Sequence, residues 1–225
     1  VSTDVPQGIA ISAGRVTFTP EKLIIEKYIG EVGHSPVNIT GYLNNYLAYV
    51  LLPNQNIKGE MNLSSSKFDV NEWMVEEEAA APSAQAAAPV EDVPMEVYEV
   101  PGDIDFTLNC RIDKVLYDNM TLDNMAGQVV LRDRKVSFNN LVFNTLGGNF
   151  KMGGGYDTKD VKSPAIDFAV GINNLDVKRS YETFVIIKSF APVAKFVNGK
   201  FGTNFSMTGK LLGDMSPDLN SINIP

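Results

Sequence analysis

His34 is the only histidine of the chain and Cys110 the only cysteine. The two side chains best suited to metal binding or nucleophilic attack therefore occur once each. His34 falls in a glycine-containing turn, with no second His or Cys to share a metal and no Ser or Cys placed beside it by a motif. Cys110 lies on the inward positions of an alternating strand and reads as a small buried hydrophobe. A lone cysteine also excludes an intramolecular disulfide. "GGGY" (Gly153–Tyr156) is glycine-rich but lacks the Gly-Lys-Ser/Thr ending of a phosphate loop, and reads as backbone crowded against a neighbour. The acids of Asp118–Asp123 lack calcium-loop spacing, and no carboxylate pair stands out as a general acid and base. The sequence offers no enzyme and asks for no cofactor or metal.

The elements that would position such residues are strands. In "DIDFTLNCRI" (Asp103–Ile112) the side chains of Ile104, Phe106, Leu108, Cys110 and Ile112 point one way, and Asp105, Thr107, Asn109 and Arg111 the other. Strict alternation of this kind marks a strand with one apolar and one wet face. The pattern returns along the chain as an internal repeat of 113 to 114 residues. Gly14–Phe18 and Gly127–Leu131 open similar runs, each passes a lysine and a glycine turn, and each closes on Gly-Tyr, at Gly41-Tyr42 and Gly155-Tyr156. An antiparallel meander with tight turns explains the order. A second correspondence pairs a helix through Leu43, Tyr46, Leu47, Val50 and Leu51 with a helix at about 178–197, each followed by one more strand. In the second helix, Tyr181, Phe184, Val185, Ile187, Phe190 and Val193 form the apolar stripe.

Residues 76–96 are rich in Ala, Pro and acid and read as a flexible linker, because they cannot bury enough surface to offset their ordering entropy. The linker separates an N-terminal repeat, residues 1–75, from a C-terminal repeat, residues 97–225. The formal net charge is −8. Six acids and no bases lie within 76–96, so the remainder holds 19 bases against 21 acids and is nearly neutral. Neither part has the basic surface that nucleic acid requires. No run reaches the about 18 apolar residues of a membrane span, and the chain reads as a soluble piece of a larger protein.

Val100–Asp160, with its alternating first strand, its Tyr117 to Leu122 segment, the Gly127 turn and Leu141 to Gly148, resembles the C-terminal conserved region of AsmA-family proteins of the Bacteroidetes type. Ser189–Asn223 looks like that family's following helix, strand and Asp-Met-x-Pro-x-Leu segment, and Gly41–Met74 is also similar to it. The resemblance implies a periplasmic protein of a Gram-negative bacterium, anchored in the inner membrane outside this chain. It further implies kinship with TamB-like and chorein-like bridge proteins, whose repeated β-groove carries phospholipid acyl chains between membranes in outer-membrane homeostasis. The expected fold is mainly β, an elongated, curved antiparallel sheet of groove-like repeats with one or two short amphipathic helices. The apolar positions expected to line the groove are Ile104, Phe106, Leu108, Ile112, Val129, Leu131, Phe138, Phe143, Phe150, Phe168, Val170, Phe205 and Met207. The same alternation also suits a filled β core that recruits envelope proteins and assists outer-membrane protein assembly. Alternation alone does not separate an open trough from a packed interior.

Overall fold

The computed structural model describes residues 8–73, 97–183, 195–213 and 215–224. Its elements run β1 (Ile9–Phe18), β2 (Lys22–Val32), β3 (Ser35–Asn44), α1 (Tyr46–Leu51), β4 (Ile57–Ser65), β5 (Phe68–Asp69), β6 (Ile104–Tyr117), β7 (Met120–Arg132), β8 (Lys135–Thr145), β9 (Gly148–Asp157), β10 (Ala165–Asp176), α2 (Val177–Thr183) and β11 (Lys200–Lys210). All eleven strands join one large, curved, unclosed sheet. The chain is mainly β, as the alternation predicts. Ten strands lie side by side in chain order, and β5 adds to the end of β6.

Two-residue turns make four of the connections in this meander. They join Val32 to Ser35, Tyr117 to Met120, Arg132 to Lys135 and Thr145 to Gly148. Asp133 and Arg134 both take positive φ, 52° and 61°, the primed-turn geometry whose twist matches that of the flanking strands. The sheet is not wholly antiparallel. β4 pairs β6 in parallel, with Ile57 opposite Ile104 through to Ser65 opposite Ile112. At this junction the N-terminal and C-terminal repeats are hydrogen-bonded into a single sheet. The linker expected at 76–96 lies outside the described residues.

The internal repeat has a constant spacing of 113 through three strands. Val16, Ile25 and Gly41 pair in register across β1, β2 and β3, and Val129, Phe138 and Gly154 do so across β7, β8 and β9. Even the irregularity repeats: the register slips between Ile25 and Tyr28 in β2, and between Phe138 and Leu141 in β8. In β8 the extra residue is Asn140, at φ 48°. Such a bulge changes the apolar spacing from two to three, so Phe138 and Leu141 keep to one face.

The second correspondence does not survive in the topology. α1 connects β3 to β4 at the end of the sheet where β1 finishes, whereas α2 connects β10 to β11 at the opposite end. The two helices are not equivalent copies; similar periodicity arose at opposite rims. α2 covers Val177–Thr183, and the rest of the helix expected at about 178–197, with its stripe from 184 to 194, lies outside the described residues.

Candidate functional site

Residues directly opposite each other on paired strands share a face, so the registers define rows that run across the sheet. One row reads Val16, Ile25, Gly41, Met61, Leu108, Val129, Phe138, Gly154, Phe168, Met207, and it crosses all ten strands of the main path. The row on one side of it runs from Phe18 and Leu23 through Phe106, Leu131 and Val136 to Tyr156 and Ile166. The row on the other side passes Tyr28, Ile39, Leu63 and Cys110, then Leu141, Met152, Val170 and Phe205. These three rows contain apolar, aromatic, cysteine and glycine residues, with no charged or amide side chain among them. At the usual strand spacing the stripe is about 43 Å long, longer than an extended acyl chain.

Glycine keeps the rows level. Gly41 has φ 154° and Gly154 has φ 146°. A Cβ on Gly41 would collide with the carbonyl oxygen of Glu60, and one on Gly154 with that of Asp167. Both glycines permit a close strand approach that no other residue allows, which gives the crowding read in "GGGY" its cause.

All thirteen residues expected to line a groove fall on this one face, in two environments. Ile112, Phe143 and Phe150 are buried. The Phe143 and Phe150 rings stack 5.1 Å apart, and Leu175, Leu122 and Met125 pack around them. This end of the face is a filled core. The other ten, from Ile104 and Phe106 to Phe205 and Met207, are half-buried or exposed, with Phe138 and Phe168 at 36% and 37%. The structure therefore splits the set into an open stripe and a packed end. It also adds residues that were not singled out, among them Val16, Leu23, Ile25, Ile39, Met61 and Leu63. The 113-residue repeat was the signal that pointed to those in β1 to β3, and strict alternation the signal for Met61 and Leu63 in β4.

The opposite face is polar throughout its centre. Asn109 donates to Asn62 Oδ1 at 3.0 Å and to Glu60 Oε1 at 2.9 Å, Gln128 donates to Asn109 Oδ1 at 2.9 Å, and Asn139 donates to Gln128 Oε1 at 3.2 Å. Beside this amide ladder Asp105 accepts from Arg132 at 2.7 Å, and Lys135 pairs with Asp167 at 2.7 Å. Depressions of about 460 and 470 Å³ open on this face, where Gly153, Ala169 and Gly171, or Ser64 and Ala126, leave room. The apolar face runs beside them as a long wall.

The residues with chemical potential are placed as supports. His34 Nδ1 lies 3.0 Å from Glu72 Oε1, and the His34 backbone N–H donates to Glu72 Oε2 at 2.9 Å, so Glu72 pins the β2–β3 turn. Cys110 sits in the apolar stripe with its thiol donating to the Gly127 carbonyl at 3.4 Å. Burial pushes the Cys110 thiol pKa up, against the smaller opposing effect of its backbone hydrogen bonds. Because the thiolate is the reactive form, iodoacetamide at pH 8 is expected to alkylate Cys110 more slowly in the folded chain than in urea. A faster reaction in the folded chain would contradict this placement.

Among the described residues no group of three or more His, Cys, Asp and Glu is placed to hold a metal ion, and no helix is long and apolar enough to cross a membrane. Compared with models of protein families, with curated proteins and with solved structures, the chain matches none.

Proposed function

We propose that the apolar face is a binding wall for phospholipid acyl chains, and that the chain is a non-catalytic segment of an AsmA-like bridge protein moving lipid between membranes. The carrying observation is the one-sided stripe: three adjacent rows, each ten strands wide, without a polar interruption. An acyl chain asks for contiguous apolar surface and few directional contacts, which such rows offer along their whole length. The amide ladder and ion pairs on the other face suit a sheet that keeps one side in water. The periplasmic setting and the inner-membrane anchor belong to this proposal through the AsmA resemblance.

The test is to purify the chain and examine it for co-purifying phospholipid by mass spectrometry. Photo-crosslinkers at Phe106 and Phe168 are expected to capture lipid, and one at Asn109, on the polar face, to capture none. Equal behaviour at the three positions would sink the reading. A second reading, a packed structural module that assists outer-membrane protein assembly, is favoured by the filled end around Phe143, Phe150 and Leu175. It predicts that no position on the face captures lipid.

A further inference from the structure

Strand β1 forms one margin of the sheet. Among the described residues it pairs with β2 alone, whereas every strand from β2 to β4 and from β6 to β10 has a neighbour on each side. All ten of its residues are exposed. Arg15 is its one charged side chain, and it holds no proline. Such an edge presents a row of backbone N–H and C=O groups whose natural complement is another strand.

The opposite margin is handled differently. Near the end of β11 the C-terminal segment crosses the edge. Asn223 and Thr208 exchange backbone hydrogen bonds of 2.8 and 3.0 Å, the Asp218 N–H donates to the Lys210 carbonyl at 2.9 Å, and the Lys210 N–H donates to Ser221 Oγ at 2.7 Å. The chain thus blunts one edge with its own backbone, while the described residues leave β1 open along its length.

The internal repeat shows what fits there. β1 and β7 are equivalent at the spacing of 113, and in the C-terminal copy the matching edge of β7 is filled by β6. β6 runs antiparallel, with Phe106 opposite Leu131, Leu108 opposite Val129 and Cys110 opposite Gly127. Those three β7 residues are the counterparts of Phe18, Val16 and Gly14. The two edges also share an irregularity: β1 slips between Ile11 and Ala13, and β7 between Asp123 and Ala126. A bulge ordinarily spoils an edge for pairing. β6 spans it by changing its own apolar spacing from two to three, so that Ile112 and Val115 are both buried. On the wet face Asn109 lies opposite Gln128, the counterpart of Arg15. The Arg15 side chain is 77% exposed and makes a 3.7 Å pair with Glu26, so an acidic or amide residue suits the place opposite it.

We propose that β1 is a docking edge for one extended strand of a partner polypeptide, seated antiparallel as β6 is seated on β7. The partner strand carries apolar side chains opposite Val16 and Phe18, a small one opposite Gly14, and an acid or amide opposite Arg15. Its apolar spacing widens to three where it crosses the Ile11–Ala13 bulge. Its arrival satisfies the edge and adds one more strand to the apolar rows. The pairing is independent of the acyl-chain reading.

The test uses the 225-residue chain and a synthetic peptide of the β6 sequence, Asp103–Tyr117, carrying Cys110→Ser. Fluorescence anisotropy of the labelled peptide is expected to show saturable binding. Phe106→Asp with Leu108→Asp in the peptide should weaken it by about tenfold or more, since two apolar side chains no longer leave water. Hydrogen exchange of the amides in Ile9–Phe18 should slow when the peptide is added. Register is read from disulfide formation with the chain variant Val16→Cys, Cys110→Ser, whose melting temperature checks that it folds. A peptide with Leu108→Cys should form the bridge faster than one with Ile104→Cys or Ile112→Cys. Absence of binding overturns the proposal. So do equal binding of the two anisotropy peptides, protection that falls on Lys200–Lys210 instead of β1, and equal bridging at the three positions. A dimer of the chain that the peptide dissociates would assign β1 to a second copy, and the partner strand would be abandoned.

Discussion

Replacing Phe143 with alanine is expected to destabilise the protein by about 3–5 kcal/mol, whereas Phe168→Ala should cost about 1 kcal/mol. The two residues share a face of one sheet and differ in what covers them. Phe143 is only 8% exposed and stacks on Phe150 at 5.1 Å and 6°. Truncation there leaves a cavity lined by Leu175, Met125 and Leu122, and also removes the ring pair. Phe168 is 37% exposed, so truncation removes surface that is already partly in water. Urea denaturation of both variants measures the difference. Equal losses would mean that the stripe is packed under a second layer, and the open-wall reading would fail. The same pair separates stability from binding, because Phe168→Ala should weaken lipid retention in a chain that remains folded.

Gly154→Ala is expected to lower stability by about 2–4 kcal/mol, the combined cost of left-handed backbone strain and a Cβ forced into a neighbouring strand. At this chain length that is a fall in melting temperature on the order of 8 °C. Gly41→Ala should behave alike, because Gly41 occupies the same row in the other copy of the repeat and its added Cβ would strike the equivalent carbonyl. Gly153→Ala supplies the contrast. An added Cβ there makes only an ordinary 3.5 Å contact with the Phe138 carbonyl, so stability should hold or rise by a few tenths of a kcal/mol as the unfolded chain loses freedom. Thermal melts of the three variants decide the matter. If Gly153→Ala were as damaging as Gly154→Ala, the registry of the rows would be wrong.

A strand's side chains alternate by geometry, so the apolar set Ile104, Phe106, Leu108 and Ile112 was legible from spacing alone, as were the polar partners Asp105 and Asn109. The repeat was legible too, since Gly14 with Gly127 and Val16 with Val129 mark the same places in two meanders. These features are local: they depend on the chain within a few residues, or on its likeness to itself.

Pairing and coverage are not local, and only the tertiary structure decided them. That β4 runs parallel to β6, merging two repeats into one continuous face, depends on hydrogen bonds between segments some fifty residues apart. Bulges at Asn140 and within Ile25–Tyr28 reset the alternation, so counting by twos would have put Phe138 and Leu141 on opposite faces. Phe143 and Phe168 have the same residue type and the same alternation, yet one is core and the other is open wall, because burial is set by what lies across space. α1 shows the point most sharply. Its i, i+3, i+4 stripe was readable, but the direction of that stripe was fixed by Asn45 and Tyr46 bonding to Glu21 and Thr19. Periodicity says that a face exists; only the fold says what it meets.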